Sequence, residues 1–240
     1  MSGGAIQAGP VGINLPERFV VTIDGQAATG KSSTGLKLAK RLGAAFLDTG
    51  AMYRDATALA LEHRVPVQDA GAIIDLVKRE RTGWDWVMSP GKNYAGMSQA
   101  FSARLRSREV DDAVSVVAKH ADLRVLMVEW QRGLATSHKR LVSEGRDQGS
   151  VVFRDVAAAR FFLMAEPAER ARRRVAQLAS GGIAADAAKI EANLRSRDAI
   201  DASHAMKIAE GMEVIDTTRH SEDEVVDRLV GLVMERVGRG

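Results

Sequence analysis

Short apolar runs and longer stretches of helical periodicity alternate along most of this chain. The apolar runs predict strands at 19–23, 45–47, 140–143, 160–164 and 213–215. Helical spacing predicts helices at 31–41, 51–63, 122–135, 167–179 and 185–198, and a capping-box pattern at 221–224 starts a last helix. Such alternation is typical of an α/β fold in which helices cover both faces of a mostly parallel sheet.

The stretch 63–123 interrupts this alternation. Strand-like pieces at 84–88 and 94–99 flank a turn, and a helix patterned by Val110, Val114 and Val117 follows. We therefore predict a small subdomain at 63–123, inserted into a core formed by 19–62 and 124–240. Residues 1–18, with several glycines and prolines, are expected to be a flexible tail.

Composition excludes several classes of function. The 240 residues are 45% hydrophobic and 27% charged, as in ordinary globular proteins, and contain no cysteine for disulfides, thiolate metal sites or thiol catalysis. The net charge of +3 and the aromatic content of 5% argue against nucleic-acid binding. No apolar run approaches the roughly 20 residues that cross a bilayer, so we expect a cytoplasmic protein without membrane contact. We also expect a monomer.

The segment after the first predicted strand matches the phosphate-binding pattern G-x-x-x-x-G-K-S. Glycines let the backbone curl so that its N–H groups face phosphate oxygens, and the following helix adds its positive end. Lys31 is then expected to reach the β- and γ-phosphates of ATP, and the Ser32 hydroxyl to bind Mg²⁺. The predicted ATP-binding residues are Gly25, Gln26, Ala27, Ala28, Thr29, Gly30, Lys31, Ser32 and Ser33. An accidental glycine-rich turn is the alternative, against which the flanking strand and helix argue.

Two other segments also follow predicted strands. These are Asp48 and the run Gly145-Arg146-Asp147, which should meet the phosphate-binding loop because ligands bind beyond the carboxyl ends of parallel strands. Asp24 and Asp48 are candidates either to support Mg²⁺ or to accept hydrogen bonds from backbone groups at strand ends.

Longer motifs now make the chain similar to a known family. DTGAMYR at 48–54, EGRDQGSVVF at 144–153, LRSREV at 105–110 and RDAID at 197–201 together resemble the bacterial cytidylate kinases from about Phe19 to the C-terminus. The resemblance implies a P-loop kinase that moves a phosphoryl group from ATP to CMP or dCMP with Mg²⁺. It also implies a parallel-sheet core, an inserted monophosphate-binding subdomain at 63–123 and a short lid at about 167–185.

The resemblance also implies how the pyrimidine is bound. A carboxylate accepts from the cytosine amino group but would face a carbonyl in uracil, and Asp147 matches this position. Arg106 matches an arginine that donates to the ring acceptors, although it could instead be a solvated arginine at a helix start. Ser102 would support the base, but Ala100-Phe101 departs from the Asp-Val that the family carries there.

The acceptor phosphate and sugar would be held by residues of the same motifs. Arginine suits phosphate because its planar fork can donate two parallel hydrogen bonds. Surface or structural ion pairs are the alternative for these arginines. The implied substrate-binding residues, besides those for the base, are Thr49, Arg54, Arg146, Arg197 and Asp201. His204 stands where the family carries an arginine, which predicts either weaker acceptor binding or compensation by another arginine.

The lid is expected to supply charge to the transferring phosphoryl group. Helical spacing predicts an apolar face with Ala168, Ala171, Val175 and Leu178, and an opposite face with Arg170, Arg173 and Arg174. Gly181-Gly182 is the predicted hinge. The residues predicted to act in catalysis are Lys31, Arg146, Arg170 and Arg174.

Two alternatives stay open at this point. One is a P-loop kinase for another small acceptor, either a different nucleoside monophosphate or a sugar. The other is a P-loop NTPase that acts as a switch on nucleic acid, which would need an aromatic-lined basic groove.

Overall fold

The computed structural model describes residues 15–80, 99–180, 185–204 and 206–237, with the backbone alone at 99, 102, 180 and 201–204. The described residues form one parallel sheet of five strands in the order β2-β3-β1-β4-β5. Its strands are β1 (Phe19–Gly25), β2 (Ala45–Asp48), β3 (Arg140–Glu144), β4 (Ala157–Met164) and β5 (Glu213–Asp216). Each contains one predicted strand, so the α/β fold class is confirmed.

Nine α-helices lie within the described ranges. They are α1 (Lys31–Leu42), α2 (Thr49–Glu62), α3 (Ala70–Glu80), α4 (Gln99–Leu105), α5 (Arg108–Val117), α6 (Ala121–Thr136), α7 (Pro167–Ser180), α8 (Ala187–His204) and α9 (Glu222–Val237). A π-helical turn, Gln148–Val152, follows β3. In this part of the chain no helix is both long and apolar enough to span a bilayer.

Two hydrophobic cores cover the two faces of the sheet. On one face, Leu47 and Leu141 of the strands pack with α2, α3, α5 and α6. On the other, Ile23 and Phe161 pack with α1 and with Leu229 of α9. Burial on both faces explains why the strand centres carry neighbouring apolar residues, such as Phe161–Leu163 in β4, without polar alternation.

The described part of the predicted insert packs directly on α2. Ile73 of α3 and Val110 and Val117 of α5 belong to the same buried cluster as Leu47 of β2. Helix α3 was not predicted from the sequence, and the strand predicted at 94–99 is wrong at Gln99, which begins α4. The strand-like pieces at 84–88 and 94–98 lie outside the described residues, and the insert at 63–123 stays a prediction.

Candidate active site

The phosphate-binding loop owes its shape to residues with positive φ. Gly25 has φ 143°, and a Cβ there would lie 2.0 Å from the carbonyl oxygen of Leu163 on the neighbouring strand β4. Ala28 (φ 61°) and Gly30 (φ 90°) turn the chain into α1. Lys31, at the start of α1, donates from Nζ to the Gln26 carbonyl at 2.8 Å and so folds back over the loop. The strand, loop and helix predicted around this motif are all present.

A cleft of about 940 Å³ lies at the carboxyl edge of the sheet and extends from this loop to the second and third motifs. The predicted site residues that line it are Ala27, Ala28, Thr29, Gly30, Lys31, Ser32, Ser33, Thr49, Arg54, Arg106, Arg146, Asp147, Arg174 and Arg197. Gly25, Gln26 and Arg170 are not among the described lining residues. Ser102 and Asp201 lie on α4 and α8, and their side chains fall outside the description, as does that of His204. The predicted hinge at Gly181-Gly182 lies outside the described residues.

Ser32 contacts one carboxyl group, Glu144, which has Asp48 as a charged neighbour. Its hydroxyl donates to Glu144 Oε1 at 2.8 Å, and Glu144 ends β3. Burial, and then the neighbouring charge of Asp48, raises the pKa of Glu144 to about 7. Asp48 also accepts from Ala51 N at 3.0 Å and so caps α2. Two carboxyl groups therefore lie in the cleft beside a hydroxyl that is predicted to bind metal.

Asp147 pairs with an arginine that the sequence analysis missed. Arg124 of α6 forms both an ion pair and a hydrogen bond with Asp147 Oδ2, and both residues line the cleft. Burial raises the pKa of Asp147, and the Arg124 charge opposes that shift. Gln148 Nε2 donates to Asp147 Oδ1 at 3.4 Å. A carboxylate and a guanidinium thus stand side by side in a partly enclosed site.

Asp24 fixes the loop that carries Asp147. Its two carboxylate oxygens accept from Gln148 N at 2.7 Å and Gly149 N at 2.8 Å, and the residue is completely buried. Burial raises its pKa to about 6 despite these two hydrogen bonds. Of the two roles considered for Asp24 from the sequence, the structure shows hydrogen bonds to backbone N–H groups.

Several arginines from different elements converge on the cleft. Arg54 of α2 donates from Nη1 to the Leu105 carbonyl at 3.0 Å, and its Nη2 lies 2.7 Å from Asp111 of α5. Arg146 donates to the Gly25 carbonyl. Arg174 of α7 donates from Nη2 to Asp111 Oδ2 at 2.9 Å. These guanidiniums bring positive charge to the cleft.

Helix α7 departs from its predicted apolar and charged faces at two positions. Arg170 is 1% exposed and lies beside buried Ala171, whereas Ala168 is exposed. Arg170 forms a 2.7 Å ion pair with Asp198 of α8 and donates from Nη1 to the Ala27 carbonyl at 3.3 Å. The predicted faces are wrong at Ala168 and Arg170, whereas Ala171 is buried as predicted and Val175 and Leu178 are half-buried. Arg170 can be buried against the phosphate-binding loop because α8 supplies a counter-ion.

Comparisons with known proteins agree with this geometry. Residues 21–235 match the family model described as "Cytidylate kinase". The cytidylate kinase of Mycobacterium leprae (strain Br4923) is 39% identical over 223 residues, which cover 92% of this chain and 97% of that protein. That of Geobacillus sp. (strain WCH70) is 38% identical over 227 residues, covering 91% and 97%. That of Rhodococcus jostii (strain RHA1) is 38% identical over 231 residues, covering 93% and 98%.

Proposed function

The chain belongs to the cytidylate kinase family, and we propose that its cleft transfers the γ-phosphoryl group of ATP to CMP or dCMP, giving ADP and CDP or dCDP. One observation supports this more than any other. The phosphate-binding loop and the Asp147–Arg124 pair line a single cleft, so a triphosphate and a pyrimidine monophosphate can be bound side by side.

In this proposal the donor phosphates rest on the loop before α1. Backbone N–H groups and the N-terminus of α1 face the triphosphate, and Lys31 exchanges its bond to the Gln26 carbonyl for phosphate oxygens. These groups are fixed before ATP arrives, which favours stabilisation of the charge that develops during transfer.

The residues around Ser32 fit a magnesium ion. The Ser32 hydroxyl would bind it, and the neighbouring Glu144 and Asp48 carboxyl groups supply the negative charge that a divalent cation requires. Among the described residues, no group of three or more His, Cys, Asp or Glu side chains is placed to hold a metal ion. Bound at Ser32, Mg²⁺ would neutralise charge on the donor phosphates.

The acceptor base would be recognised by Asp147 and Arg124 together. Asp147 accepts from the cytosine amino group, and Arg124 donates to the ring acceptors while it holds Asp147 in place. We retain Arg106 and Ser102 as predicted contacts, with Arg106 exposed at the cleft. Arg197 and Asp201, both on α8, remain our candidates for the sugar.

Transfer would be direct and in line. An oxygen of the CMP phosphate attacks the γ-phosphorus while the bond from that phosphorus to the β,γ-bridging oxygen breaks, so no phosphoenzyme forms. Arg54, Arg146 and Arg174 would hold the acceptor and neutralise the charge that develops between the two nucleotides. Arg170 is assigned here to positioning, because it bonds the loop carbonyl of Ala27. We expect a monomer in the cytoplasm.

The test compares acceptors and one base-reading variant. Wild-type protein is assayed by ADP release with CMP, dCMP, UMP and AMP, and CMP and dCMP should be preferred. Asp147→Asn should narrow the ratio of kcat/KM for CMP over UMP by about tenfold or more, since the repulsion of uracil is removed. Asp155→Asn, an exposed carboxylate near the same loop, is the matched control. Preference for AMP or UMP in the wild type would overturn the proposal.

A further inference from the structure

One carboxylate connects two cleft arginines that come from different helices. Asp111, in the first turn of α5, places Oδ1 2.7 Å from Arg54 Nη2 of α2 and Oδ2 2.9 Å from Arg174 Nη2 of α7. Both arginines line the cleft, whereas Asp111 is not among the described lining residues. All three side chains are about one quarter exposed or less, at 21% to 26%. Asp111 therefore lies between two cations that face substrate.

The two halves of this contact differ in quality. Arg174 donates an aligned hydrogen bond to Oδ2. Within the described part of the chain, the buried Oδ1 lacks an aligned donor, although Arg54 is close to it. Arg54 instead directs Nη1 to the Leu105 carbonyl. Asp111 thus supplies charge to Arg54 without a well-formed hydrogen bond, as expected of a partner that is easily displaced.

We propose that Asp111 is the resting counter-ion of the acceptor-phosphate site, and that the phosphate of the incoming nucleotide takes its place at Arg54 and Arg174. This inference rests on the proposed function, which assigns those arginines to the acceptor. A phosphate monoester carries nearly two charges near neutral pH and presents three strong acceptor oxygens, so it can compete with one carboxylate. Weaker anions compete less well, and Asp111 therefore determines selectivity for a phosphorylated acceptor at some loss of affinity.

The next residue along α5 offers a matched control. Asp112 carries the same charge, but its side chain is 63% exposed and lies 3.7 Å from the exposed Arg108. Asp112→Asn therefore makes the same change in net charge as Asp111→Asn, one position further along α5. Only the latter removes the carboxylate between the two cleft arginines.

The experiment measures KM for CMP and, separately, the affinity for inorganic sulfate by calorimetry. We expect Asp111→Asn to lower both the KM and the sulfate dissociation constant by about 3- to 10-fold, the size expected for one charge at a half-buried site. Asp112→Asn should leave both values unchanged. Asp111→Ser replaces the first variant if Asp111→Asn does not fold.

Each other result is decisive. A raised or unchanged KM and sulfate constant in Asp111→Asn would overturn the inference, because Asp111 would then orient the arginines or do nothing for anions. The sulfate measurement needs no turnover. If the wild type fails to phosphorylate CMP, the proposed function fails, while tighter sulfate binding in Asp111→Asn would still support a resting counter-ion.

Discussion

The proposed donor half of the cleft is formed mainly by backbone, and the proposed acceptor half by charged side chains. The donor half is backbone, shaped by Gly25, Ala28 and Gly30 at positive φ and supported by buried strands. The acceptor half consists of paired charged side chains from separate elements, such as Asp147 in the loop after β3 with Arg124 of α6. Steric requirements govern the first half and electrostatic balance governs the second. Mutations should therefore break the donor half abruptly and retune the acceptor half gradually.

The largest expected effect is on the donor half. Gly25→Ala would place Cβ 2.0 Å from the Leu163 carbonyl at φ 143°, which neither residue can relieve without moving β1 or β4. We expect a loss of about 4 kcal/mol or more in unfolding free energy, measured by chemical denaturation.

The control for that change is Gly133→Ala. Gly133 lies within α6 with nothing within 4 Å of an added Cβ, so alanine should stabilise the helix by up to about 1 kcal/mol. Equal losses in the two variants would contradict the steric explanation.

Lys31 is the next test of the donor half. Lys31→Met removes the cation that we propose faces the transferring phosphoryl group, and kcat should fall by about 10²- to 10³-fold with little change in stability. Lys37 lies on the exposed side of α1, where it pairs with Glu222 and Asp223. Lys37→Met should therefore keep the wild-type kcat when both variants are measured by ADP release. A kcat for Lys31→Met within a few-fold of wild type would show that the backbone alone suffices.

A pH series tests the boundary between the two halves at Asp24. Its pKa is about 6 in the folded protein against 3.8 ordinarily, because it is buried. Between these values the folded state binds the proton more tightly, so this residue's contribution to unfolding free energy increases as pH falls from about 6 to about 4. This difference between the two pKa values corresponds to at most about 3 kcal/mol of unfolding free energy.

Asp24→Asn should remove that gradient. The unfolding free energy of the wild type minus that of the variant, measured by denaturation at several pH values, should increase from pH 7 to pH 4. The loss of one side-chain oxygen that accepts from a backbone N–H lowers stability by a constant amount and does not affect the slope. Parallel curves would mean that the pKa of Asp24 is not raised by burial.

The smallest expected effect belongs to the acceptor half. Arg54→Lys keeps the positive charge but loses the planar fork, so KM for CMP should rise by about tenfold with a smaller change in kcat. Arg108→Lys, on the exposed surface of α5, should leave KM unchanged. Steady-state kinetics at fixed ATP measures both. A collapse of kcat as large as that of Lys31→Met would remove the distinction between the two halves.

Sequence predicted the strands well because their buried centres are short apolar runs, such as Leu141-Val142 in β3 and Phe161–Leu163 in β4. The five predicted strands differ from β1–β5 by at most three residues at either end. Helix α3 was missed because it lies in the stretch where the alternation is interrupted. Arg170 was placed on the wrong face of α7 because helical spacing cannot show that Asp198, on another helix, neutralises it.

The two halves of the site were not equally predictable. The donor loop is contiguous, so glycine spacing, Lys31 and Ser32 can be identified from one short pattern. Arg124 and Asp111 act through partners that are distant in sequence, Asp147 and Arg174, and nothing in their local patterns distinguishes them from solvated charges. Tertiary structure is needed to identify such pairs.

The end of β1 connects both halves through two consecutive residues. Asp24 bonds the backbone after Asp147, and the next carbonyl, that of Gly25, accepts from Arg146. The loop proposed to bind the donor and the segment proposed to bind the acceptor are thus attached to neighbouring peptide units of one strand. We expect a movement of β1 to shift both segments together, so that the distance between the two bound phosphates changes little.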